Sequence, residues 1–163
     1  MTGGLGGAVP PVPSARWRPS VTVAAVLERG GRLLLVEEVV DGRRVLNQPV
    51  GHLDPNESLV QAVKREVLEE TCFHFDPTGL VGIYRWHYQP ADVTFFRFCF
   101  RGRLLEEEPA RERDKQIDAI HWLTPAELTE RRAQHRSPLV QRCAEDFLAG
   151  RYFPLEVLST HFP

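Results

Sequence analysis

The sequence predicts an α/β domain in which a mixed β-sheet is sandwiched between α-helices. Three observations predict it. Short apolar runs bounded by turn residues come first, one amphipathic helix interrupts them, and the second half returns to strands before ending on two capped helices. The 163 residues make one domain's worth of chain, and 42% hydrophobic with 26% charged residues is ordinary for a globular protein. The longest apolar run is five residues, from Val23 to Leu27, so no membrane helix is expected.

The elements follow in order. Residues 1–19 hold four glycines (Gly3, Gly4, Gly6, Gly7) and four prolines (Pro10, Pro11, Pro13, Pro19), a composition that cannot bury apolar surface and reads as a loose, disordered tail. The domain is expected over 20–163. Val21–Leu27 reads as a buried strand, Gly30-Gly31 as a turn, and Leu33–Val40 as a second strand. Asp41-Gly42 signals a two-residue hairpin into Arg43–Leu46. Asn47–Pro55, with two prolines and a glycine, reads as a loop, and a helix is expected from about Ser58 to Thr71. Gly79–Tyr88 and Thr94–Leu105 read as aromatic strands around a Pro90 turn. Glu106–Lys115 reads as a charged loop and Ile117–Leu123 as a short strand. Thr124-Pro125-Ala126-Glu127 is a capping box, Ser137-Pro138 repeats that start, and Gly150 ends the last helix.

Charge and cysteine usage narrow the function classes. Twenty Lys+Arg against 22 Asp+Glu leaves a net charge of −2, so the chain lacks the electrostatic reach for long nucleic acid or an anionic membrane. Cys72, Cys99 and Cys143 are odd in number and never form Cys-x-x-Cys, which argues for reduced thiols in a cytoplasmic protein. The six histidines are scattered. A metal bound here is therefore expected to take oxygen ligands, as Mg²⁺ or Mn²⁺ does.

The helix near the middle carries the chemistry. At about 100° per residue, with Leu59 at zero, Ala62, Val63 and Val67 form one apolar stripe at about 300°, 40° and 80°. Glu66 falls at about 340° and Glu70 at about 20°, in the middle of that stripe, with Glu69 at its edge near about 280°. These acids sit in the last turn, where the helix dipole disfavours anions, and they are like-charged neighbours at i,i+3 and i,i+4. Buried like charges neutralise or acquire a cation. Arg65 is one partner, but one arginine does not balance three carboxylates, whereas a divalent metal does.

These residues form a pattern: Gly51-x5-Glu57-x7-Arg65-Glu66-Val67-x-Glu69-Glu70-x-Cys72-Phe73. It resembles the box of the Nudix hydrolase family, in which the penultimate position is usually glycine; only Cys72 departs. Asn47-Gln48-Pro49, Gly51-His52-Leu53, Arg85-Trp86, Arg136-Ser137-Pro138-Leu139-Val140 and Pro154-Leu155-Glu156 resemble the NudJ-type phosphatase subfamily. The resemblance implies a Nudix fold and a Mg²⁺-dependent hydrolase, with Mn²⁺ as a substitute. Glu66, Glu70, Glu69, Glu57 and the Gly51 carbonyl are implied as metal-holding groups, and Glu69, Arg65 and Glu66 as catalytic ones. The implied substrates are nucleoside tri- and diphosphates and the pyrophosphates of thiamine and its pyrimidine precursor, with phosphate released. A cysteine after the helix, if left-handed, costs on the order of 1 kcal/mol.

A carboxylate outside the box is a further candidate base, with Asp118 and the Glu106–Glu108 run as the choices. Trp86 is a candidate for stacking a substrate ring, and Arg85 and Arg97 for gripping phosphate. The expected partner is a small nucleotide or pyrophosphate, with no membrane and no long nucleic acid, and the assembly a monomer or homodimer. Competing readings are an ADP-ribose or dinucleoside polyphosphate pyrophosphohydrolase, a nucleotide sensor without turnover, and an RNA 5′-end hydrolase. The complete acidic set favours an enzyme over a sensor. Lys64 and Lys115 are the only lysines, which speaks against a long polyanionic substrate.

Overall fold

Strand β1 (Ser20–Val26) runs between two helices, and this explains why it carries an unbroken buried run rather than an alternating one. The computed structural model describes residues 17–161; most of the expected tail, 1–16, lies outside them. After β1 come β2 (Glu28–Arg29), β3 (Arg32–Val40), β4 (Arg43–Asn47) and β5 (Val50–His52). Helix α1 (Leu59–Thr71) follows, then the long strands β6 (Phe73–Tyr88) and β7 (Val93–Glu107). The chain closes with β8 (Ile117–Leu123), α2 (Pro125–Glu130), α3 (Pro138–Leu148) and the two-residue β9 (Phe153–Pro154).

The strands divide between two sheets. The larger has the order β5-β1-β7-β6-β9, and it is mixed because β1 runs parallel to β7 while its other pairs are antiparallel. The smaller joins β2, β3 and β4, with β8 against β3. The Asp41-Gly42 hairpin forms as its sequence demands: both residues have positive φ, 50° and 75°, the pattern of a tight turn matching strand twist.

Two faces of the larger sheet bury different neighbours. Val23, Ala25 and Phe100 pack with Ala62, Val63 and Val67 of α1. Ala24, Val26 and Cys99 pack with Leu139, Val140 and Cys143 of α3. Alternation along the strands thus separates an α1 face from an α3 face.

Two expected boundaries move. Asn47–Pro55 contains a strand, β5, which pairs antiparallel with β1 through Thr22–His52, Val23–Gly51 and Ala24–Val50. Three residues flanked by Pro49 and Pro55 carry no local strand signal, and the pairing exists only because the β1 edge is open. Strand β6 begins at Phe73, six residues before Gly79. Its register against β7 shifts at Phe73/Phe75, at Pro77/Gly79 and at Leu80/Gly82, and such bulges accommodate Pro77 within a strand.

Helix α1 starts with a capping box: the Ser58 hydroxyl accepts from the Gln61 backbone N–H at 3.1 Å, and the Gln61 side chain accepts from the Ser58 N–H at 2.8 Å. It ends at Cys72, which takes the left-handed conformation (φ 62°, ψ 8°) and donates its N–H to the Leu68 carbonyl at 2.9 Å. A Cβ is unfavourable in that conformation. Cys72→Gly therefore retains about 1 kcal/mol more stability than Cys72→Ala, since both lose the thiol and only glycine is relaxed there. Urea unfolding of the two variants checks this; equal midpoints contradict it.

Candidate active site

The carboxylates of α1 collect where its last two turns pass β5. Arg65 is their organiser. Its Nε and Nη2 donate to the two oxygens of Glu57 at 3.1 and 2.7 Å, a bidentate pair. Its Nη1 donates to Glu66 at 2.6 Å and to Glu69 at 3.2 Å, and Nη2 also donates to the His52 carbonyl at 3.0 Å. Glu57 in turn accepts from the Asp54 N–H at 2.7 Å, fixing the loop before the helix. One guanidinium thus spans the box loop, the helix and the β5 edge.

Arg65 reaches Glu57, Glu66 and Glu69, but Glu70 lies outside its hydrogen bonds. Glu70 instead accepts the Val50 backbone N–H at 3.0 Å. The side chains of Glu57 and Glu66 are 15% and 12% exposed, whereas Glu69 is 38% exposed. The helical wheel anticipates this division, with Glu69 at the edge of the apolar stripe.

These surroundings set the proton affinities. Arg65 beside Glu57 holds that carboxyl below the usual range. Loss of solvation raises Glu66, against the pull of Arg65. Glu70 is pushed up to about 9, first by burial and then by the negative charge of Glu66, Glu38 and Asp114, with the Val50 N–H opposing. It therefore combines burial, like charge and a single neutral donor.

The close approach of Gly51 to this group is tight. A Cβ on Gly51 would lie 2.0 Å from the Glu66 carboxyl carbon, so only glycine leaves that carboxylate its place. Among the described residues, no three acidic, histidine or cysteine side chains already surround one point as a finished metal cluster; Arg65 draws Glu57, Glu66 and Glu69 toward itself. The donor set still fits a hard divalent cation, because Glu66 beside the side-chain-free Gly51 and Glu70 on the Val50 N–H are oxygen donors with raised proton affinity.

The remaining predicted residues lie elsewhere. Trp86 stacks on Phe95 with ring centroids 5.7 Å apart and packs on the α3-face cluster. Arg97 shares that face and is only 6% exposed, with Nη1 donating to Gln48 at 3.4 Å, so its guanidinium is turned into the protein rather than offered to a phosphate at the α1 carboxylates. Arg85 approaches the ring of Trp17, 6.0 Å from its centroid. Asp118 sits 3.7 Å from Arg44, and Glu108 pairs with His74 at 2.7 Å.

Sequence reasoning missed Glu38 and Asp114, the outside carboxylates whose charge acts on Glu70. Glu38 follows the register shift in β3 at Glu37/Glu38. Asp114 lies in the charged loop, and its N–H donates to the Glu69 carbonyl at 2.8 Å. Neither has a periodic signal, since one depends on a bulge and the other on loop docking.

Comparison with known proteins follows the same lines. The NUDIX domain family profile matches residues 16–143. The chain is 35% identical over 143 residues to the phosphatase NudJ of Escherichia coli K12, covering 88% of this chain and 92% of that one. Among solved structures it is similar to a NUDIX hydrolase from Nitrosomonas europaea, with 45% identity and a TM-score of 0.86, covering 88% and 98% of the two chains. The NUDIX domain of Shewanella oneidensis NrtR, solved with ADP ribose, shares the fold at 20% identity and a TM-score of 0.64, over 84% of this chain and 93% of that one.

The raised Glu70 makes stability depend on pH. Its folded proton affinity exceeds the unfolded value near 4.5, so the fold binds this proton more tightly than the unfolded chain. Stability from this group is full below pH of about 4.5 and is lost as pH rises through about 9. Glu70 therefore lowers the melting temperature of the metal-free protein as pH rises from about 5 to about 9, and Glu70→Gln removes that part of the slope. A calorimetric melting series checks both, and an unchanged slope in Glu70→Gln refutes the assignment.

Proposed function

The chain belongs to the Nudix hydrolase family, and from that premise we propose that it is a Mg²⁺-dependent hydrolase releasing phosphate from nucleoside tri- and diphosphates and from thiamine-type pyrophosphates. The observation that carries this reading is the pair Glu66 and Glu70, two inward-facing carboxylates with raised proton affinity, one packed against Gly51 and the other accepting the Val50 N–H. The substrate class rests on the 35% identity to the phosphatase NudJ over most of both chains.

Glu66 and Glu70 would hold the cation, with Glu57, Glu69 and the Gly51 carbonyl as supporting groups. A bound Mg²⁺ would supply charge neutralisation to the diphosphate and acidify the attacking water. The chain's own residues supply alignment and proton transfer. Arg65 fixes Glu57 and Glu66 through its hydrogen bonds and keeps them in register with β5. Glu69, more exposed than Glu57 and Glu66, would receive the proton of the attacking water. The Val50 N–H orients Glu70 from the opposite side.

Trp86, stacked on Phe95, and Arg85, near Trp17, lie apart from the α1 carboxylates and would meet only the leaving group. Arg97 takes an indirect part at most in this reading, because it is buried against Gln48.

Two variants test the metal-holding groups. Glu66→Gln and Glu70→Gln keep the fold and lose about 10²-fold or more in kcat; wild-type turnover in either, with Mg²⁺ present, rejects the assignment. Gly51→Ala displaces the Glu66 carboxylate and lowers kcat by at least about tenfold with little change in melting temperature, read by steady-state kinetics beside a thermal melt.

The substrate class is tested by measuring phosphate and pyrophosphate release across nucleoside tri- and diphosphates, thiamine-type pyrophosphates, ADP-ribose and dinucleoside polyphosphates. Phosphate from the first two groups is expected. Activity confined to ADP-ribose overturns the substrate assignment and leaves the family membership intact.

A further inference from the structure

We propose that Cys72, at the position where the family's box usually carries glycine, is a positioning residue that ties segment 108–114 to the last turn of α1 and so holds Asp114 on the Glu69 carbonyl, next in sequence to Glu70. The proposal rests, for its kinetic part, on the catalytic reading above. Its structural part stands on the contacts themselves.

Segment 108–114 meets the helix end at three places. The Glu108 N–H donates to the Cys72 carbonyl at 2.8 Å, and the Asp114 N–H donates to the Glu69 carbonyl at 2.8 Å. Between them, the Cys72 thiol donates to the Arg111 carbonyl at 3.3 Å. The two backbone bonds supply partners to carbonyls that a helix end or cap leaves open. They would survive replacement of Cys72 by glycine, but the thiol bond would not. Among the described residues, that thiol is the hydrogen-bonding group that fastens the middle of the segment to α1 or its cap.

The conformation of Cys72 gives the second observation. At φ 62° a glycine is relaxed and a cysteine is not. A strained residue persists where its surroundings hold it, and strain of this kind gathers at functional sites. Here the side chain is 5% exposed and spends its one donor on the segment. The far end of that segment is turned by Asp114 itself, whose carboxylate accepts the Gln116 N–H at 3.0 Å and whose carbonyl accepts the Ile117 N–H at 2.9 Å. Asp114 is thus held from both sides, and its backbone docks on Glu69 within the acidic turn of α1.

The test has two readouts. Amide hydrogen exchange over 108–114, followed by mass spectrometry on the metal-free full chain without substrate, reads the tether alone. Exchange is expected to accelerate about tenfold in Cys72→Gly while the melting temperature holds, and to recover toward wild type in Cys72→Ser, whose hydroxyl donates to the same carbonyl. Steady-state kinetics then read the consequence. Cys72→Gly is expected to lower kcat about three- to tenfold with KM within about twofold, and to add nothing in an Asp114→Asn background. Unchanged exchange in Cys72→Gly overturns the tether. Full kcat in Asp114→Asn, or an equal further loss when Cys72→Gly is added to it, overturns the positioning of Asp114. Wild-type turnover in Glu66→Gln would instead sink the catalytic reading and leave the exchange result standing.

Discussion

Glu66 and Glu70 face the side of α1 that packs against the larger sheet, and the neighbourhood is built around that fact. Carboxylates turned inward at the end of a helix meet desolvation, mutual repulsion and an unfavourable dipole together. Arg65 relieves part of this by meeting Glu57, Glu66 and Glu69 with a single guanidinium. Glu70 is left with the Val50 N–H, and its proton affinity rises accordingly. A site that holds an acid in this condition is stabilised either by a proton or by a cation, and the oxygen-rich surroundings suit a hard divalent ion.

The larger sheet is the frame that makes the arrangement possible. Because β1 is covered on both faces, the α1 face can carry the acidic machinery while the α3 face keeps an apolar core of its own. Strand β5 at the sheet's edge brings the Val50 N–H and the side-chain-free Gly51 up to α1, one as a donor to Glu70 and the other as space for Glu66. A three-residue strand therefore does as much for the site as the helix that bears the acids.

Much of this was legible in the sequence, and for identifiable reasons. The helical period places Glu66 and Glu70 inside the apolar stripe and Glu69 at its edge, and the Glu66 side chain is accordingly more buried than that of Glu69. Ser58, the Asp41-Gly42 turn and Thr124 are local signals, and each forms the cap or turn that its chemistry prescribes. What escaped depends on tertiary contact. Strand β5 exists through pairing with β1. Glu38 lies just past a bulge in β3, and Asp114 meets α1 through a loop docked on the helix end. Arg97 reads from the sequence as a candidate phosphate grip, yet its place in β7 turns it toward the α3 face and Gln48.

The most direct test of the central claim counts protons. If Glu70 holds a proton at neutral pH because no cation offsets its burial, a bound divalent ion must displace it. Calorimetric titration of the metal-free protein with Mn²⁺ at about pH 7.5, in two buffers of different ionisation enthalpy, is predicted to release roughly one proton per ion bound, and to lose that release in Glu70→Gln. Tight binding with no proton released, or the same release in Glu70→Gln, would contradict the account.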